Sequence, residues 1–214
     1  MSLASPAALS VLGITGRDTA LGDSANYYTM TTPTPGTGII SNNGTTAVAT
    51  TPSLVLFNAG VLNVYLMYLR LSSTVVGGGA ATKNFTFYLD QANRYTSGGT
   101  ALVSQNTNMS SNAKSSLSGV TGAITAAAAS PNQRTLMNDW FRVALADVVG
   151  DVYEWQFGAP SGVGVGSSPA TVANFVRSAP PIVLQPQNCF LMNIWSSTFT
   201  QGITWEVQIG YAEK

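Results

Sequence analysis

Ile203-Thr204-Trp205-Glu206-Val207-Gln208-Ile209-Gly210-Tyr211 is the stretch that decides the fold. Ile203, Trp205, Val207, Ile209 and Tyr211 occupy every second position, with Thr204, Glu206, Gln208 and Gly210 between them. Side chains alternate faces along a strand, so this spacing predicts a half-buried antiparallel strand. Ile203, Trp205, Val207 and Ile209 are expected in the core. The same period recurs upstream. Phe85, Phe87 and Leu89 alternate with Thr86, Tyr88 and Asp90, and Tyr153, Trp155 and Phe157 alternate with Glu154 and Gln156.

Other runs read as strands by composition: 54–57, 61–72, 140–146, 172–177, 182–184 and 189–195. Turn signals separate them, such as Asn58-Ala59-Gly60, Gly77-Gly78-Gly79 and Pro186-Gln187-Asn188. No amphipathic helix is visible. The expectation is an all-β antiparallel β-sandwich of about eight to ten strands, jelly-roll-like, over residues 53–214.

Residues 1–52 read differently. Thr31-Thr32-Pro33-Thr34-Pro35-Gly36-Thr37-Gly38 excludes a helix and a central strand. The segment is expected to be an extended N-terminal arm. One apolar island, Tyr27-Tyr28-Thr29-Met30, interrupts it. Tyrosine is enriched where proteins meet, so Tyr27, Tyr28 and Met30 are the candidate interface residues. Folding of the island back onto its own domain is the alternative. Residues 93–99 and most of 104–135 read as loop.

Composition narrows the function. Hydrophobic residues make up 45% of the 214 residues and charged residues only 8%, against roughly 25% in ordinary domains. Nine basic and nine acidic residues balance to zero, with no run of one sign. Nucleic-acid binding needs clustered Lys and Arg, so neither that nor an electrostatic membrane role is expected. The first residues lack the basic and apolar regions of a secretory signal. No segment approaches the about 18 apolar residues of a membrane span.

The usual catalytic groups are missing. The chain has no histidine, which removes Ser-His-Asp and Cys-His catalysis and the commonest zinc ligand. Asp147, Asp151 and Glu154 lie close enough in sequence to hold calcium through oxygen ligands, but turn residues are the plainer reading. Gly162-Val163-Gly164-Val165-Gly166 lacks the Lys-Ser/Thr ending of a phosphate loop. Glu206 is expected at the surface and Cys189 as a buried thiol. Trp140, Trp155, Trp195 and Trp205 are able to stack sugars, though tryptophans on alternating strands usually fill cores. The expectation is a non-enzymatic protein with no cofactor and no metal.

Three stretches carry a family likeness: Tyr68-Leu69-Arg70-Leu71; Tyr88-Leu89-Asp90 through Asn93-Arg94-Tyr95-Thr96-Ser97-Gly98-Gly99-Thr100; and Trp205 to Tyr211. Over about residues 54–214 the chain resembles virion structural proteins of tailed bacteriophages, most of all capsid decoration, or cement, proteins. The resemblance implies a β-sandwich that clamps major capsid subunits from the capsid exterior. It also implies synthesis in the host cytoplasm and assembly as a homo-oligomer, a dimer or trimer. The alternative is a receptor- or glycan-binding fibre or tail module.

Overall fold

The computed structural model describes residues 26–40, 45–75, 82–142, 148–159, 174–196 and 204–214. Among these there is no helix. Fourteen strands run in order: β1 Tyr27–Thr31, β2 Ile39–Ile40, β3 Leu54–Asn58, β4 Val64–Val75, β5 Thr82–Asp90, β6 Tyr95–Ala101 and β7 Val103–Asn106. They continue as β8 Leu117–Ala126, β9 Arg134–Arg142, β10 Val152–Phe157, β11 Asn174–Ala179, β12 Ile182–Leu184, β13 Cys189–Trp195 and β14 Thr204–Glu213.

They form two sheets. Sheet A runs β11-β10-β4-β14-β1-β7, with β12 also on β4 and β2 on β14; sheet B runs β6-β8-β3-β13-β5-β9. Every pairing is antiparallel except β10 with β11. The chain crosses repeatedly from one sheet to the other, which makes an antiparallel-rich β-sandwich.

The alternation read at the C-terminus builds the core. Trp205, Val207, Ile209 and Tyr211 are all buried, and Thr204, Glu206 and Gln208 between them are partly exposed. Ile203 lies outside the described residues. Register carries this pattern across sheet A: Trp155, Leu69, Ile209 and Met30 form one inward row over β10, β4, β14 and β1. A facing row in sheet B joins Met137, Phe87, Met192 and Leu54. Between the sheets aromatic rings meet edge to face, as Phe87 and Trp155 do at 5.1 Å and 89°. Such pairs add about 0.5–1.5 kcal/mol beyond their area. Lys83 is buried here too, its ammonium 5.6 Å from the Tyr153 ring centre.

Four expectations need correction. First, residues 27–31 do not belong to an arm. β1 lies inside sheet A, bonded to β14 on one side and β7 on the other, so the sandwich begins well before residue 53. Residues 1–25 lie outside the described residues. Second, residues 61–63 precede β4, and Val61 is 88% exposed. Third, residues 95–101 are an edge strand whose side chains are all exposed. Two register shifts against β8 and positive φ at Gly98 and Gly99 twist it, a device that discourages edge-to-edge association. Fourth, the expected loop at 104–135 contains β8, which pairs with β3 and β6.

β8 escaped its sequence signature because its apolar residues divide between its two faces. Leu117 and Gly119 face the main core, while Ile124 and Ala126 join a second apolar cluster with Val55, Cys189 and Leu191. Val120 already packs on that second cluster, and at Gly122, whose φ of 96° suits glycine, the pairing with β6 shifts register.

Candidate functional site

The residues singled out by sequence do not converge. Tyr27, Tyr28 and Met30 are 8%, 4% and 1% exposed. Tyr28 stacks on Tyr211 at 5.5 Å, and burial pushes the Tyr211 hydroxyl up to about 12. Tyr28 and Met30 are therefore spent between the sheets of their own sandwich, against the apolar row of β14, while Tyr27, on the opposite face of β1, is buried outside that cluster.

Asp151 is buried and its carboxylate accepts the Val148 N–H at 2.8 Å, closing a turn. Glu154 accepts from Gln156 Nε2 at 3.0 Å. Asp147 and Gly162–Gly166 lie outside the described residues. Among those described, no three acidic, cysteine or histidine groups gather as for a metal. Cys189 is fully buried, and burial raises its thiol to about 12, far from the thiolate that reactivity requires. Glu206 is partly exposed and accepts the Gly36 N–H.

The four tryptophans divide. Trp155 and Trp205 are wholly buried, whereas Trp140 is 59% exposed and Trp195 is half-buried. These last two stand on the outer face of sheet B. Register sets them in a row: Trp195 of β13 opposite Asn84 of β5, and Asn84 opposite Trp140 of β9. The next row along the same face is Asn193, Thr86 and Asn138. The inward positions between, Phe85 and Phe87, send their rings into the core, so the outward direction of the six follows from strand alternation.

Hydrogen bonds fix much of this surface. Trp195 Nε1 donates to Thr86 Oγ1 at 2.9 Å, and Thr86 donates to Asn138 Oδ1 at 2.8 Å. The Trp140 and Trp195 rings meet edge to face at 6.1 Å. Asn193 Nδ2 donates to the Val48 carbonyl at 2.7 Å. Asn84 Oδ1 and Asn193 Oδ1 are buried without a hydrogen-bond partner. Behind Trp140, Asp139 turns the other way. It accepts from Trp155 Nε1 at 2.6 Å and from Arg177 at 3.1 Å, tying β9 to β11 and β10 across the sandwich edge.

Sequence reading placed the tryptophans among sugar-stacking candidates but missed Asn84, Thr86, Asn138 and Asn193. Their meaning depends on which strand lies beside which, and no short-range pattern encodes that.

A second feature lies at one end of the sandwich. Val61 is 88% exposed, Leu62 44% and Met109 96%. They sit on the β3–β4 and β7–β8 loops, which Ala59 N–H ties together by donating to the Ser116 carbonyl; Asn63 and Lys214 exchange backbone hydrogen bonds that fix the β3–β4 loop to the end of β14. Comparison with protein-family models, curated proteins and solved structures finds no match.

Proposed function

We propose that the chain is a non-enzymatic virion structural protein, a capsid cement protein that binds the assembled shell from outside as a homo-oligomer. The observation that supports it most is the apolar loop end. Three large apolar side chains, Val61, Leu62 and Met109, stand in water on a chain with few charges. Exposed apolar side chains set among polar loops suit contact with another protein. A protein that binds only the closed shell stabilises it by mass action. The virion assignment draws on the resemblance carried by residues 54–214.

Immunogold labelling of intact particles with antibody to this chain tests the reading. Gold on the outer surface is expected, together with a lower disruption temperature for particles stripped of the chain. Particles that lack the chain, or that react only after opening, would exclude a cement role.

A further inference from the structure

The outer face of sheet B carries a feature that a cement role does not require. We propose that Trp140, Trp195, Asn84 and Asn138 form a binding site for a neutral oligosaccharide, with a pyranose ring stacked on the Trp140 indole. This inference stands apart from the capsid reading and would survive its failure.

The chemistry of the six side chains points to this ligand. A sugar presents an apolar C–H face and a rim of hydroxyls, so its site needs a flat aromatic surface beside neutral donors and acceptors. Trp140 supplies the surface, since more than half of it is exposed although it lies in a regular strand. Trp195 supports it edge-on at 6.1 Å. The Trp195–Thr86–Asn138 hydrogen-bond chain holds that support in one rotamer, which lowers the entropy lost on binding. Asn138 is exposed beside Trp140 on the same strand face and offers its remaining amide group to a hydroxyl. None of the six side chains carries a charge, which favours a neutral ligand over a phosphate or a peptide with charged ends.

Asn84 supplies the independent observation. It is 1% exposed and lies between the two indoles, yet its carbonyl oxygen has no donor. An orphaned buried oxygen is costly and rare. A sugar hydroxyl, directly or through one bridging water, would satisfy it. The other buried orphan on this face, Asn193 Oδ1, lies beneath the segment that carries Val48 and is not assigned to the ligand.

The full-length chain is screened on an array of neutral glycans, and then titrated with maltohexaose, cellohexaose, mannohexaose and chitohexaose by calorimetry and tryptophan fluorescence. Saturable binding of at least one neutral glycan is expected. Trp140→Ala should weaken it at least about tenfold, the scale of one lost ring contact. Its melting temperature should hold, because the removed ring is largely in solvent. Trp140→Tyr should recover part of the affinity, and Asn138→Ala should lose part of it. No saturable binding on the array, or equal affinity in Trp140→Ala, overturns the proposal. So does a fall in light-scattering mass of Trp140→Ala with sugar binding unchanged, which would give this face to a second copy of the chain.

Discussion

Arg94 is the side chain whose position is least expected from its type. It is 1% exposed, although a buried guanidinium is tolerated only when its nitrogens find acceptors. All three do here: Nε donates to the Ala127 carbonyl at 2.7 Å, Nη2 to the Ala49 carbonyl at 2.9 Å, and Nη1 to Asp90 at 3.1 Å and to Gln133. One residue thus ties the 45–53 segment, the end of β5 and the β8–β9 loop together. Burial pushes the Asp90 carboxyl up, but hydrogen bonds from Ser130, Arg94 and the Ala92 N–H outweigh it and hold it below its usual 3.8. Removing one partner of such a pair strands a buried charge, so Arg94→Met should cost about 3–5 kcal/mol in urea denaturation near neutral pH. Because Asp90 ionises more readily folded than unfolded, its contribution is complete well above pH 3.8 and drains as pH falls through the lower folded value. Wild type should lose stability over that acid window, and Arg94→Met should lose less there. A variant as stable as wild type would show that the network is not what holds these segments. Sequence reading put Arg94 in a loop, correctly, but nothing local announces that a loop arginine turns inward.

β1 shows how an element is misread when its partners are distant. Tyr27-Tyr28-Thr29-Met30 offers a short alternation between a polar flank and a proline-rich one, too little to specify a strand alone. Its pairing with β14 spans almost the whole chain, from Tyr27 opposite Ala212 to Thr31 opposite Gln208. The packing is close. A methyl group at Gly119 would run into Met30 Sδ, with Leu102 and Leu56 also near 3 Å, so Met30 fills the space that this glycine leaves. Strands with nine or ten residues and full alternation, such as β5 and β14, were legible because each contains its own pattern. β6 has no apolar face, β8 divides its apolar residues between two faces, and β1 is short, so these three depend on neighbours. Deleting residues 1–31 should therefore unfold or severely destabilise the domain, since it removes the strand between β14 and β7 and uncovers Ile209 and Tyr211. Loss of the cooperative thermal transition in circular dichroism is the expected result. A truncated chain that melts like the full-length protein would show that β1 is dispensable to the sandwich.

At the scale of the whole molecule, the low charge and the location of its exposed apolar groups bear on one question. Ser, Thr, Asn and Gly cover much of the surface, and scattered apolar residues on such a surface are ordinary. Val61, Leu62 and Met109 differ because they lie on two loops at one end of the sandwich that a backbone hydrogen bond joins. The low charge raises the expectation of contact with other proteins. It names no place for that contact, because Tyr28 and Met30 are apolar for the sake of the core and the exposed trio lies in stretches without an anchor signature. If this end docks on a neighbouring subunit, charge placed there should abolish docking and leave folding alone. The double variant Val61→Glu, Met109→Glu should keep stability within about 0.5 kcal/mol per substitution, as exposed positions do. Its co-sedimentation with particles stripped of the chain should fall at least about tenfold, equivalent to 1.4 kcal/mol, because an unpaired carboxylate buried in a contact has no compensating partner. Arg94 and Trp140 lie outside these loops, so the fold and the sugar site should respond independently of this change. Undiminished sedimentation of the double variant would remove the loop end as the docking surface, and with it the main structural support for the cement role.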